Sequence, residues 1–275
     1  MATEFAIWLV GDDEEQLTAI GEAALDEVQR VESVLSRFDP AAELARLNRY
    51  AAKNKTPLKI SIELFQVLQN CLDWYEKTKG HFDIGWMSDR GEFNENLVHL
   101  DAAAKTASSP LGDPQLDLGG FGKGYALDRA AQVVKQFEID SALLHGGTSS
   151  VLAIGKDPHG DRWRIDLRDP LADSPDIACG RLVIATEALS TSAERRLPSA
   201  PGEGGIPFGQ SCTVVCDSAA EAEVYSTALL GMGKSKAKEY LEGIQNPPRA
   251  VVMIEHHGGR GPGPIVDWLV GNPYA

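Results

Sequence analysis

Apolar residues recur at helical spacing in the first third of the chain. In the first such run they occupy Leu17, Ile20, Ala24, Val28, Val31 and Leu35. This spacing predicts a helix that Asp12 caps and that continues to about Arg37. The same criteria predict a second helix that begins at Ser61 and is ended by Gly80. The apolar run Phe5–Val10, ahead of both helices, predicts a strand.

The remainder of the chain mixes short strands with three more helices. The helices are predicted over Gly122–Phe137, from Ser218 to about Met232, and over Ala237–Leu241. The predicted strands are Ser141–His145, Val151–Ile154, Trp163–Leu167, Arg181–Thr186, Ser211–Asp217 and Arg249–Glu255. Residues 87–115 carry a weak, polar pattern that predicts loops or short elements. Because strands and helices follow no regular βαβ rhythm, we expect an α+β fold with a largely antiparallel sheet flanked by helices.

A glycine cluster at residues 117–128 leads into the third predicted helix. Four glycines within positions 119–124 leave the backbone open to close approach, because no Cβ stands in the way. The free N–H groups and partial positive charge at a helix start suit a phosphate, and Lys123 adds a full positive charge there. The flanking carboxylates, Asp117 and Asp128, would suit a metal or a ribose. The segment therefore predicts a nucleotide-phosphate site.

The glycine cluster matches neither of the common phosphate-binding loops. A P-loop needs Ser or Thr after its lysine, whereas Gly124 follows Lys123. A dinucleotide fingerprint needs Gly-x-Gly-x-x-Gly, whereas the spacing here is Gly120-x-Gly122-x-Gly124. From the residues alone, a second interpretation therefore stays open. It is a tight strand-to-helix turn in which the glycines only permit close packing.

The composition is typical of a globular protein, with 43% hydrophobic residues in a chain of 275. A net charge of −14 argues against nucleic acid and anionic membranes as partners. No segment reaches the roughly 20 apolar residues of a membrane span. No signal peptide is recognisable, so we expect a cytoplasmic protein, with an exported origin left open. We expect Cys212 and Cys216 to be buried free thiols, since neither belongs to a Cys-x-x-Cys pair.

Several separated segments resemble one protein family. The segment Asp117–Asp128 is similar to the Asp-Leu-Gly-Gly-x-x-Lys-Gly-Tyr-x-x-Asp motif of the ApbE family of flavin transferases. Members of that family move FMN from FAD onto a Thr or Ser of a target protein. Other blocks that resemble the family are Leu35–Phe38 with Leu47-Asn48, Thr78–Asp83, Gly146-Gly147, Leu189–Ser192 and Ala222–Gly233. The blocks occur in family order, so the resemblance implies a single ApbE-like domain over residues 1–275.

The resemblance also implies an activity and its ligands. The chain would transfer FMN from FAD to a Thr or Ser of an acceptor protein, release AMP and use Mg²⁺. The positions that match family contacts to FAD are Met1, Phe38, His81, Phe82, Asp83, Asp117 and Lys123. The positions that match family metal ligands are Gly120, Glu223 and Thr227. Glu223 and Thr227 are four apart on one predicted helix, so their oxygens share a face, and oxygen ligands suit Mg²⁺.

Two departures from the family pattern keep an alternative function open. The family's His-x-x-Asp-Pro-x-Thr-Gly block, whose histidine would serve as the base for the incoming hydroxyl, is replaced by Arg195–Gly205, which has neither His nor Asp-Pro. The family's metal-binding aspartate is Glu223 here. The catalytic residue is therefore unassigned. His145 is a candidate, although a core histidine at a strand end explains it as well. The alternative is an FAD-binding protein or FAD pyrophosphatase without transferase activity.

Overall fold

The structure is a computed structural model that describes residues 3–85, 97–109, 115–172, 174, 177–196, 208–258 and 263–271. Its helices are α1 (Glu14–Leu35), α2 (Glu43–Ala51), α3 (Ile62–Lys77), α4 (Gly122–Gln136), α5 (Ala219–Met232) and α6 (Lys234–Gly243). Its strands are β1 (Phe5–Leu9), β2 (Leu58–Lys59), β3 (His99–Asp101), β4 (Thr106–Ser108), β5 (Ala142–Gly146), β6 (Ser150–Ile154), β7 (Trp163–Arg168), β8 (Ala178–Ile184), β9 (Ala188–Arg196), β10 (Phe208–Cys216), β11 (Ala250–His257) and β12 (Ile265–Val270).

One large sheet organises the molecule. Its seven strands run in the order β1-β5-β6-β9-β10-β11-β12, and each neighbouring pair is antiparallel. A three-stranded sheet, β2-β4-β3, and the hairpin β7–β8 stand apart from it. The α+β class with a largely antiparallel sheet is thereby confirmed. The apolar pattern does not reveal β9, because from Ser190 to Arg196 every side chain except that of Ala193 carries a hydroxyl group or a charge.

The helices cover one face of the large sheet. Helix α1 packs on α4, and α5 packs on α4, β9 and β10. The buried stripe of α1, from Ile20 to Leu35, is the one that the helical spacing predicts. Helix α5 is buried on nearly all sides, which normally requires apolar residues all round. Among its buried positions, Glu223 is the charged exception.

The hairpin β7–β8 covers the opposite face of the large sheet. Leu167, Leu182 and Ile184 of the hairpin form a second apolar cluster with Val151 and Val252 of the sheet. The central strands are therefore buried from both sides, as the short apolar runs in β6 and β11 require.

Two details of the helix predictions are wrong. Asp13, rather than Asp12, caps α1, because its side chain accepts a hydrogen bond from the Gln16 N–H. The backbone of Asp13 is extended, as a cap requires. The pattern also gives no sign of helix α2, which buries Leu44 and Leu47 in a short stretch that also contains three charged residues, Glu43, Arg46 and Arg49.

The free thiols expected from the sequence are confirmed on the described residues. Cys212 and Cys216 are buried free thiols, and Cys71 and Cys179 are free as well. Within the described ranges, no helix combines the length and the apolar character needed to cross a membrane.

Candidate functional site

The glycine segment meets α5 at the N-terminus of α4. A Cβ on Gly124, in the first turn of α4, would lie 2.3 Å from the carbonyl oxygen of Ala219 at the start of α5. Only glycine permits so close an approach, because the clash would be with backbone rather than with a side chain that could move. The crossing of the two helices brings Glu223 of α5 to the first turn of α4.

The carboxylate of Glu223 binds the start of α4. Its Oε2 accepts a hydrogen bond of 2.6 Å from the backbone N–H of Gly124, and its Oε1 forms an ion pair with Lys123 Nζ. A helix N-terminus favours negative charge, and here the charge comes from the protein itself. A phosphate contact at Lys123 stays a prediction. The structure adds that Lys123 already has a carboxylate partner.

Glu223 is a buried charge, with 2% of its surface exposed. Burial raises the pKa of the Glu223 carboxyl, while the Lys123 charge and the Gly124 N–H oppose that shift. Buried charges persist where they are paired and hydrogen-bonded. Lys123 is therefore the partner that stabilises an ionised carboxylate at this depth.

The three residues predicted to hold a metal lie together. The Thr227 hydroxyl donates to the Glu223 carbonyl oxygen at 2.9 Å. A Cβ on Gly120 would stand 3.2 Å from Thr227 Oγ1, so the glycine segment runs directly against α5. The possible donors are a carboxylate, a hydroxyl and a backbone carbonyl, all oxygen, and they suit Mg²⁺.

This donor set contains a single carboxylate. Among the described residues, no group of three or more His, Cys, Asp or Glu could hold a metal ion. A cation at Glu223 would therefore need further oxygen ligands from water or from a bound phosphate, which is the usual coordination of Mg²⁺. The residues fit the ion that the family resemblance implies, provided that a ligand completes the set.

A cluster of hydroxyl groups from β9 and α5 lies at the same place. The sequence pattern assigns this cluster no role. Ser192 Oγ lies 2.9 Å from Ser226 Oγ and 3.2 Å from Thr227 Oγ1. Ser226 Oγ donates to the Glu223 carbonyl oxygen at 3.0 Å. The sequence feature that could have indicated these contacts is the Leu189–Ser192 block. The contacts form only because β9 lies beside α5.

A pocket of about 180 Å³ lies beside Lys123. Its lining includes Thr3, Arg37, Phe38, Asp117 and Lys123. Phe38 is 68% exposed, and the Arg37 guanidinium lies 4.1 Å from the centre of its ring. Arg37 Nε is also 3.0 Å from Asp117 Oδ2. Three of the residues predicted to contact FAD thus share one pocket with an exposed ring face, which suits stacking with a planar ligand.

Phe82 and Asp83 adjoin the glycine segment from the other side. Phe82 is buried, and a Cβ on Gly120 would lie 3.3 Å from its ring. Burial raises the pKa of the Asp83 carboxyl, although a hydrogen bond of 2.7 Å from the Gly85 N–H opposes that shift. The next residue, Ile84, accepts a hydrogen bond of 2.7 Å from the N–H of Asp117.

One other predicted FAD contact among the described residues, His81, is not brought to this pocket. His81 lines a separate cavity of about 640 Å³ with Lys236 and Tyr240. Burial and the charge of Lys236 lower the pKa of His81. Met1 lies outside the described residues.

The candidate base His145 lies in β5 and lines a different cavity, of about 580 Å³, on the hairpin side of the sheet. Its ring packs edge-to-face on Trp8 at 4.8 Å, and burial lowers its pKa. This environment favours the interpretation of His145 as a histidine of the strand packing.

Comparisons with known proteins agree with the fold and with the family resemblance. The sequence profile of the ApbE family matches residues 1–253. The FAD:protein FMN transferase of Salmonella typhimurium is 25% identical over 297 aligned positions, which cover 94% of this chain and 83% of that protein. The FAD:protein FMN transferase of Treponema pallidum is 30% identical over 188 positions, covering 54% and 51% of the two chains. The flavin transferase ApbE from Vibrio cholerae superposes with a TM-score of 0.75 at 20% identity, covering 98% of this chain and 94% of that one.

Proposed function

The chain belongs to the ApbE family, and from this premise we propose that it is an FAD:protein FMN transferase that uses Mg²⁺. The observation that carries the proposal is the convergence of Gly120, Glu223 and Thr227 beside Lys123. These residues come from segments about a hundred positions apart in the chain, yet they form one group of oxygen atoms next to an ammonium. Such an arrangement suits a diphosphate accompanied by a cation.

In the proposed reaction, a Thr or Ser hydroxyl of an acceptor protein attacks the phosphorus of the FMN half of FAD. A new P–O bond forms to the hydroxyl oxygen, the P–O bond to AMP breaks, and AMP leaves with the electron pair. The hydroxyl proton is released to a base or to water. Phe38 and Arg37 would bind a ring of the ligand, and Lys123 would bind its diphosphate.

Gly120, Glu223 and Thr227 would hold Mg²⁺, which neutralises negative charge on the diphosphate as the bond breaks. The fold of the protein fixes the positions of these three residues. The α4–α5 crossing fixes Glu223 and Thr227, and the buried ring of Phe82 supports the glycine segment from below.

The test is covalent transfer. The protein would be incubated with FAD, Mg²⁺ and a flavin-acceptor protein, and the denatured products separated on a gel. We expect flavin fluorescence on the acceptor, none with an acceptor whose Thr is changed to Val, and none when EDTA removes the metal. An acceptor that a relative such as the Salmonella enzyme labels, but that this protein leaves unlabelled under every metal, would refute transfer.

The interval Arg195–Gly205 favours a second candidate, because it holds no histidine to accept the hydroxyl proton. This candidate binds FAD, or hydrolyses it to FMN and AMP with water, and transfers nothing to a protein. Measuring AMP release without an acceptor separates the two. AMP release without labelling indicates a pyrophosphatase, and tight FAD binding without AMP release indicates a binding protein.

A further inference from the structure

The ammonium group of Lys123 contacts two oxygen atoms of the protein. It forms an ion pair with Glu223 Oε1 and lies 3.2 Å from the carbonyl oxygen of Gly119, to which it donates a hydrogen bond. The remaining carboxylate oxygen of Glu223 accepts from the Gly124 N–H. In the structure as described, both oxygens of this carboxylate are therefore engaged by groups of the protein.

A divalent cation at Glu223 would meet the charge of Lys123 at close range. Like charges a few ångströms apart in a partly buried place disfavour each other strongly. The two partners also differ in freedom. The Glu223 side chain is 3% exposed, whereas that of Lys123 is 24% exposed and ends a flexible four-carbon stem. If one partner is to move, it is the lysine.

A second position is available to the Lys123 side chain. Lys123 also lines the pocket that contains Arg37, Phe38 and Asp117. That pocket already holds the Arg37–Asp117 ion pair at 3.0 Å, so a second ammonium there needs an anionic partner from a ligand. A diphosphate would supply that charge.

We propose that Lys123 is an exchangeable counter-ion: a divalent cation displaces it from Glu223, and the released ammonium then binds the diphosphate of the ligand. The identities of the cation and the flavin ligand rest on the proposed function, whereas the competition for Glu223 rests on the ion pair itself. The exchange couples the two ligands. Metal binding frees the group that holds the diphosphate, and by reciprocity the diphosphate tightens metal binding.

The test measures binding rather than turnover. Mn²⁺ alone is titrated by calorimetry, without flavin, into the wild-type protein and into Lys123→Met, Lys123→Arg and Lys236→Met. Lys123→Met keeps the side-chain length and removes the charge, so we expect Mn²⁺ to bind about tenfold more tightly. Lys123→Arg keeps the charge and should bind Mn²⁺ as weakly as the wild type. Lys236→Met removes a lysine that lines the separate cavity with His81 and should change nothing.

Lys123→Met that binds Mn²⁺ no more tightly than the wild type would overturn the exchange, as would an absence of Mn²⁺ binding to both proteins. Because loss of the ammonium leaves Glu223 buried without its partner, folding is checked by circular dichroism, and a measurement on the unaltered protein stands beside it. In the wild type, saturating FAD should tighten Mn²⁺ binding several-fold, and equal affinities with and without FAD would contradict the proposal.

These outcomes separate the exchange from the proposed function. Failure to label an acceptor would refute transfer and leave the Mn²⁺ titrations unaffected. Unchanged Mn²⁺ affinity in Lys123→Met would refute the exchange, even if the wild-type protein labels its acceptor.

Discussion

Asp128 Oδ2 accepts a hydrogen bond of 2.7 Å from the hydroxyl of Ser218, the residue that caps α5. The same carboxylate accepts from the N–H groups of Ala219 and Ala220, at 2.8 and 3.0 Å. Asp128 lies in α4, while Glu223 of α5 binds the first turn of α4 through Gly124. Each helix thus supplies a carboxylate to the N-terminus of the other. This reciprocal capping fixes the angle at which Glu223 and Thr227 are presented.

Replacement of Asp128 by Ala should loosen both the fold and the site. The change removes three hydrogen bonds at the start of α5, and losing a cap of this kind costs about 1–2 kcal/mol of unfolding free energy. We also expect Mn²⁺ to bind more weakly, because α5 carries Glu223 and Thr227, the side chains that we propose as metal ligands. Urea unfolding and calorimetry provide the two measurements.

The matched control for this variant is Asp13→Ala, which removes the cap of α1, away from the glycine segment. It should lower stability by about 1 kcal/mol and leave Mn²⁺ affinity unchanged. If both variants weakened metal binding equally, capping of α5 would have no special part in the site.

Gly124→Ala should be far more destructive than its size suggests. The added methyl would lie 2.3 Å from the Ala219 carbonyl oxygen, so the two helices must separate. We expect a loss of about 3 kcal/mol in unfolding free energy, the upper range for overpacking, together with loss of FAD binding.

Gly231 of α5 is a contrasting glycine, at which an added methyl group meets no clash. A Cβ there meets nothing within 4 Å, and the residue is exposed. Gly231→Ala should therefore raise the unfolding free energy by roughly 0.5–1 kcal/mol, because alanine restricts the unfolded chain and favours helix. Thermal unfolding of the two variants side by side tests the contrast, and a Gly124→Ala protein as stable as the wild type would contradict the close crossing.

The sequence predicts the fold well where burial follows a simple period. The spacing of apolar residues alone is enough to indicate the stripe on α1 and the apolar run of β6. Strand β9 gives no such indication, since its outer half, from Thr191 to Arg196, is paired through backbone hydrogen bonds that leave no apolar signature.

The candidate site shows the same division. Family motifs bring Gly120, Glu223 and Thr227 to attention, and the structure brings these residues together. The Lys123–Glu223 ion pair has no signal in the sequence, because it joins residues a hundred positions apart through the packing of two helices. For the same reason Asp128, suited by its type to a metal or ribose, proves to be a helix cap.

The hydroxyl of Thr227 should matter for metal binding and little for folding. Thr227→Val keeps the branched shape and removes an oxygen that faces Gly120 and Ser192. We expect the Mg²⁺ concentration needed for half-maximal FAD binding to rise about tenfold, since one oxygen ligand is lost. Flavin fluorescence measured against Mg²⁺ provides the readout. Thr227→Ser restores the oxygen and should restore most of the affinity, and a serine variant as defective as the valine variant would argue against ligation.

The half-buried His145 should make stability depend on pH on the acid side. Burial lowers the pKa of His145 in the folded protein, so between that value and about 6.5, the ordinary value, the unfolded chain binds more protons than the folded one. Stability from this group is therefore complete above about pH 6.5 and is lost as the pH falls toward the folded pKa.

A single such group gives a slope of at most about 1.4 kcal/mol per pH unit. His145→Gln should flatten the curve of unfolding free energy in the range below about pH 6.5, by roughly that slope at most, whatever constant offset follows from the altered contact with Trp8. Parallel wild-type and His145→Gln curves over this interval would show that the histidine is not held in its neutral form by burial.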